Sequence, residues 1–212
     1  MAVFEQNVDL HIQSSTQLRQ IVEMPSLVTN NKVIDHIDPL AGRFIAASPL
    51  MILSTKRADG GLDQTPRGDP SGFVKVVDRN TLALPDRPGN NRMDAIENIL
   101  ATGEVGLLFL IPGHGDTLRI SGKAAVVQDA QLSEDLAVNG RPSGLVVLIR
   151  VERVLSHCPK AFIRSKAWQP DDWPDTSDVP SLAEMLQVHG ALADSLADLD
   201  ALIETSNTNE LY

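Results

Sequence analysis

The sequence predicts a mainly β, α+β protein: a small antiparallel barrel of six or seven strands, with one inserted helix and helical extensions at both ends. Three observations carry this reading. Short apolar and β-branched runs alternate with Gly, Asp, Asn and Pro turn signals between Leu50 and Val154. A helix-compatible stretch interrupts them after Pro88-Gly89, and a three-to-four residue apolar period replaces them before Ser48 and after Ser181. The expected division is 1–43 for an N-terminal helical extension, 44–168 for the barrel, and 169–212 for a C-terminal extension with an acidic helix.

The opening helix is expected after Ser14 or Ser15, with Leu18, Ile21 and Val22 on one face and Pro25 as its limit. From Val33 to Ile45 the apolar residues again recur at three and four, which predicts a second helix stopped by Ser48-Pro49, with Pro39 a point where it could split. The run Leu50 to Thr55, the turn Ala58-Asp59-Gly60-Gly61 and a return ending at Thr65 form a first hairpin. Phe73 to Val77, the turn Asp78-Arg79-Asn80, and Thr81 to Leu84 form a second. An Asn after Pro88-Gly89 is expected to cap a helix from Arg92 to Leu100, with Asp94 in its first turn. Val105 to Ile111 reads as a buried strand, paired through Pro112-Gly113-His114-Gly115 with a longer one from Thr117 to Val127. A last strand spans Leu145 to Val154, and one amphipathic helix is expected from Ser181 to Ile203.

With 212 residues, 42% apolar and 22% charged, the chain has the composition of an ordinary globular domain able to bury one core. A formal charge of −10 repels polyanions, so neither nucleic acid nor an anionic membrane is an expected partner. Met1 to Ser15 lacks a basic start followed by an apolar run, and no segment reaches the length of a membrane span, so a cytoplasmic location is expected. Cys158 is the only cysteine, which excludes an internal disulfide, and the ligand pairs of zinc sites are missing.

Three clusters hold residue types that packing alone does not require. Thr65-Pro66-Arg67-Gly68-Asp69 ends a strand: Pro and Gly stop the ladder, while Thr and Arg supply a hydroxyl and a planar fork of donors suited to phosphate. The same residues also fit a solvated turn with an Arg67–Asp69 ion pair. Leu84 to Arg92 joins a strand end to a helix start, where unpaired amides and a partial positive charge make Asn90, Asn91 and Arg92 an anion cradle; equally, Asn is a good cap and Gly a good turn. In His157 to Ser165, a Cys beside a His invites a nucleophile reading, but no glycine elbow or base-and-orienter set accompanies Cys158. Lys160 and Arg164, four apart, offer positive charge to a ligand or a neighbouring subunit. No dinucleotide glycine fingerprint follows a strand, which favours a mononucleotide.

Taken in order, the segment from Thr65 to Asp69, the segment from Leu84 to Arg92, Gly106 to Gly113, Thr117 to Ala124 and His157 to Ser165 resemble a branch of the pyridoxamine 5′-phosphate oxidase-like flavoproteins, over roughly Phe44 to Trp168. The resemblance implies an FMN-binding split β-barrel homodimer with two FMN molecules in clefts between the subunits. It places Thr65, Pro66 and Arg67 along the flavin, Asn90, Asn91 and Arg92 at its phosphate, and Pro85 and Asp86 against the ribityl chain or ring. It brings Thr117 and Arg119 from across the interface. The vitamin-forming oxidase itself ends in an Arg and aromatic substrate segment, and His157 to Arg164 stands in its place here, so pyridoxamine phosphate is not implied as substrate. The expected activity is an FMN-dependent oxidoreductase acting on a small-molecule substrate or electron donor, with no side chain required as a catalytic acid or base. Alternatives are a related deazaflavin-dependent reductase, a non-catalytic flavin or haem binder in which His157 or His114 ligates iron, and a purely structural dimeric barrel.

Overall fold

A computed structural model describes residues 10–209 and 211–212, in two units, Met1–Val33 and Ile34–Tyr212. In the first, α1 (Ser15–Ile21) starts at Ser14, whose hydroxyl accepts from the Gln17 amide. Ser26 caps α2 (Leu27–Asn31) in the same way; this five-residue helix has no counterpart among the expectations. The expectation of no targeting segment in Met1 to Ser15 lies, over residues 1–9, outside the described residues.

In the second unit the helix expected over 33–45 is shorter and later. Ile34 is extended and bridges Val154, and α3 (Pro39–Ala47) begins at Asp38, whose carboxylate accepts from the Ala41 amide at 2.8 Å. Pro39 opens the helix instead of splitting it, because the first helical position has no use for the missing N–H.

Seven strands follow, interrupted by two helices: β1 (Leu50–Lys56), β2 (Leu62–Gly68), β3 (Lys75–Asp78), β4 (Thr81–Asp86), α4 (Asp94–Thr102), β5 (Glu104–Leu110), β6 (Thr117–Val127), α5 (Ala130–Asp135) and β7 (Leu145–His157). They form one antiparallel sheet in the order β2-β1-β5-β6-β7-β4-β3, the α+β split β-barrel. The hairpins β1–β2, β3–β4 and β5–β6 are the ones the turn signals predict. Two long-range pairings, β1 with β5 and β4 with β7, turn hairpins into a barrel. The sheet coils where β6 meets β7: the register shifts between Ser121 and Gly122. A Cβ at Gly122 would sit 2.0 Å from the Arg150 carbonyl oxygen, so only glycine admits this approach.

Strict alternation drives the core. Along β1, Met51, Leu53 and Thr55 are buried between half-buried neighbours; Phe109, Leu82, Leu84 and Ile149 complete a barrel interior closed on one side by Ala95, Ile96 and Ile99 of α4. Gly103, at φ 67, ends α4 in the left-handed conformation and leads directly into β5.

After β7 come α6 (Lys160–Ser165), a 3₁₀ turn at Pro170–Asp172, α7 (Leu182–His189) and α8 (Leu196–Asn209). The single helix expected over 181–203 is thus two. Ser181 and Glu184 form a reciprocal capping box at the start of α7, and Gly190 followed by Ala191 at φ 48 breaks the helix before α8. Among the described residues no helix is long and apolar enough to cross a membrane.

Phe109 is wholly buried in β5, so Phe109→Ala should cost about 3–5 kcal/mol, read as a fall in the urea midpoint at unchanged slope. Leu100→Ala, on the exposed face of α4, should stay within about 0.5 kcal/mol.

Candidate functional site

The first cluster owes its geometry to the sheet edge. β2 pairs only with β1, so Pro66, opposite Ile52, removes no bond that another strand needs. Pro85 lies in β4 beyond the reach of β3, with only β7 as neighbour there. The ends of β2 and β4 approach each other across the barrel seam, and two ion pairs span it. Arg67 Nη1 donates to Asp86 Oδ1 at 2.7 Å, and Arg87 Nε donates to Asp69 Oδ2 at 2.6 Å. The ion pair conceivable within one turn, Arg67 with Asp69, gives way to this crossed arrangement. Arg87 also donates through Nη2 to the Leu136 carbonyl at 2.7 Å. The Asp69 side chain is only 1% exposed, a buried charge that these partners must satisfy.

The second cluster differs from expectation at the helix start. Asn90 does not cap α4; its Oδ1 accepts from the Arg92 amide at 3.1 Å, within the loop. The N-cap is Met93, whose backbone is left-handed (φ 58, ψ 15) and whose side chain supplies no capping bond. Asn91 is left-handed too, at φ 56. These two left-handed residues, with Arg92 between them, fold the loop tightly onto a helix start that no side chain among the described residues caps, leaving first-turn amides for an anion. Arg92 Nε donates to Asp94 Oδ2 at 2.7 Å. This contact raises the Arg92 pKa and lowers that of Asp94. The pair is exposed, so its net contribution is small and a phosphate can compete for the guanidinium.

Thr65, Pro66, Arg67, Asp86, Asn90, Asn91 and Arg92 line one recess of about 390 Å³ together with Gln64, Arg87 and the start of α4. Arg67 Nε is buried there and makes no hydrogen bond among the described residues, a cost to the protein unless a ligand oxygen meets it. An adjoining recess of about 300 Å³ shares Pro66, Arg67, Arg87, Pro88 and Gly89 and adds Pro85 and Phe73; its outer wall is Ser206, Asn207, Leu211 and Tyr212. The Tyr212 hydroxyl donates to Asp69 Oδ1 at 2.8 Å. That carboxylate pushes the phenol pKa up, and partial burial adds to it.

Not all expected positions converge. Thr117 and Arg119 lie on another face, in a groove of about 440 Å³ with Gly106, Arg153, His157 and Phe162. Lys160 and Arg164 sit exposed on α6 and line none of these three hollows, although Ala161 and Phe162 between them line the third. Cys158 is exposed. Among the described residues no cluster of three or more His, Cys, Asp or Glu is placed to hold a metal ion. Sequence reasoning passed over Asp69, Arg87 and Tyr212 as members of the site. The first two stood inside the quoted clusters with alternate charge, a readable signal; Tyr212, 143 positions from Asp69, offered none.

No curated protein sequence matches the chain. Among solved structures, a variant of HupZ from Group A Streptococcus is 17% identical, covering 57% of this chain and 99% of its own at a TM-score of 0.48. A structure described as a pyridoxamine 5′-phosphate oxidase from Lactobacillus delbrueckii is 24% identical over 57% of this chain and 95% of its own, at 0.46. An FMN-binding protein from Syntrophomonas wolfei is 12% identical over 53% and 80%, at 0.42. The family profile for pyridoxamine 5′-phosphate oxidase matches residues 37–158, which takes in β1 to β7, both seam ion pairs and the whole lining of the first recess; the chain belongs to the pyridoxamine 5′-phosphate oxidase family.

Proposed function

We propose that this protein binds FMN in the seam cleft and acts as an FMN-dependent oxidoreductase on a small molecule. The observation that carries the reading is the coincidence, in one recess, of the buried partnerless Arg67 Nε and the helix start that Met93 leaves uncapped. A phosphate answers both, since it accepts from a guanidinium and from helix N-terminal amides at once. The recess is lined by Arg67, Arg87 and Arg92 and by Asp63, Asp86 and Asp94, so its donors are local and set among carboxylates, which favours one compact phosphate over a polyanion.

In this reading Arg67, Arg92, Asn90 and Asn91 hold the phosphate, and Thr65 offers a hydroxyl along the ligand. Pro66 and Pro85 give rigid walls whose positions cost little conformational entropy to maintain. Asp86 keeps Arg67 oriented. The bound flavin supplies the hydride chemistry itself; the chain's residues fix its position and limit water around it.

A second copy of the chain completes the site. The outer face of β1, β5 and β6 carries half-buried Ile52, Leu108 and Gly106 beside Arg119. Two such faces packed about a two-fold axis would cover the apolar positions and bring Thr117 and Arg119 of each copy toward the other's cleft. Lys160 and Arg164, exposed beside this face, supply positive charge at its rim.

FMN, released on denaturation and absent as FAD or haem, is the expected cofactor of the purified protein; a colourless protein that takes up no added FMN would sink this reading. Arg67→Ala should weaken FMN about ten- to a hundredfold, the loss of a charge-assisted contact of roughly 1.5–3 kcal/mol, and riboflavin much less. Arg92→Ala should do the same to the extent that phosphate displaces Asp94, with apo stability within about 0.5 kcal/mol of wild type. Titrating both ligands into the three proteins reads the difference. For the assembly, light scattering should give a dimer for wild type and a monomer with weakened FMN binding for Leu108→Lys; a wild-type monomer that still holds FMN would contradict the shared site.

A further inference from the structure

Charge is divided unevenly along the chain. Residues 1–168 carry equal numbers of acidic and basic side chains, eighteen of each, so the whole net charge of −10 belongs to 169–212, which contains no Lys or Arg. Little of that negative charge is answered nearby: among the described residues of 169–212, only Asp172 has a cation within ion-pair distance, Lys166 at 2.9 Å. Positive charge without a partner gathers elsewhere. Arg119, Arg153, Lys160 and Arg164 make no side-chain hydrogen bond or ion pair among the described residues. Arg119 and Arg153 line the groove of about 440 Å³, and Lys160 and Arg164 flank Ala161 and Phe162, which line it too. On the same side of α6, Ile163 is 63% exposed.

α8 supplies the complementary pattern. Asp200 and Glu204 are exposed and one turn apart, as Lys160 and Arg164 are on α6, so each helix presents two like charges about 6 Å apart. Leu196, one turn before Asp200, is 40% exposed. The two helix faces are thus opposite in charge, equal in spacing, and each carries an exposed apolar residue. Within one chain they serve different places. Among the described residues no ion pair joins α8 to α6. Asn207 of α8 lines the recess that shares Arg67 and Arg87 with the cleft, while α6 borders the groove of Thr117 and Arg119, and the recess and the groove have no lining residue in common. A two-fold axis that brings Thr117 and Arg119 of one copy to the other's cleft also carries the first copy's α6 toward the α8 beside that cleft, and the contact repeats on the other side.

We propose that α8 of each copy docks on α6 of the second copy, Asp200 and Glu204 against Lys160 and Arg164, and that these two reciprocal contacts are the charged part of the dimer interface. This rests on the shared-cleft dimer. Apolar positions such as Ile52 and Leu108 hold two faces together without direction; charges of opposite sign at the rim fix which way round the copies meet.

The test is charge reversal in the whole chain, with assembly read by light scattering and native mass spectrometry and folding checked by circular dichroism. An exposed pair contributes little on its own, so reversal is more telling than truncation to Ala. One variant carries Lys160→Glu and Arg164→Glu, a second carries Asp200→Lys and Glu204→Lys, and a third carries all four. The homodimer of either of the first two sets like charges together at both contacts, so its dissociation constant should rise by about a hundredfold. An equimolar mixture of the two should form a heterodimer close to wild type in affinity, because one contact is then native and the other reversed on both sides. The variant with all four changes should dimerise as wild type does. Homodimers of the first two variants as tight as wild type would overturn the docking and leave the shared-cleft dimer standing. Weakened variants that recover in the four-change chain but not in the mixture would overturn it as well, since the pairing would then lie within one chain. Recovery in neither would show that the two helices do not meet each other. A monomeric wild type would remove the dimer itself, and this contact with it.

Discussion

The crossed ion pairs over the barrel seam are the constraint on which the site depends. A seven-stranded antiparallel sheet with β2 at one edge and β3 at the other has no ladder to join its ends. Side chains must do so, and Arg67–Asp86 and Asp69–Arg87 do it between the ends of β2 and β4. Charge in this position has a double use. It ties the edges together, and it leaves each guanidinium with donors to spare, because a five-donor fork is not exhausted by one carboxylate. A hydrophobic seam would close the barrel at least as firmly, but it would offer nothing to a phosphate.

The same logic would let a chain with net charge −10 hold the phosphate proposed for this cleft. At the distances of a hydrogen bond, a local arrangement of Arg67, Arg87, Arg92 and a helix N-terminus decides the interaction; the diffuse negative field is screened within about 10 Å at ordinary salt. The acidic C-terminal extension adds to that diffuse field, so what it repels at long range are polyanions.

What could be read from the sequence were the features encoded locally. Turn residues such as Gly60-Gly61 and Pro112-Gly113 sit between runs that pair with each other, and each hairpin is found where these signals place it. Pairings between distant strands leave no such mark: nothing near Leu53 announces Leu107 as its neighbour. Helix ends were misread where one kind of signal overrode another. Apolar periodicity carried α3 back to Val33, although Asp38-Pro39 is the stronger start, and Asn90 drew attention as a cap although the chain makes two left-handed turns before α4 begins. The site divides along the same line. Thr65 to Asp69 and Leu84 to Arg92 were legible as clusters because their chemistry is contiguous, whereas the partner of each Arg, and the presence of Tyr212, depend on how the barrel closes.

Pro66 has a further consequence, which concerns other molecules of the protein during synthesis and storage. β2 runs along an open sheet edge for seven residues, and an edge of that length is a template on which a second chain can add a strand. Pro66 lacks the donor that such a strand would need near its middle, and Asp63 and Arg67 place charge on either side of it. Together they make the edge a poor template for intermolecular strand addition. The proline in the edge strand beside the cleft thus also guards the protein against edge-to-edge aggregation.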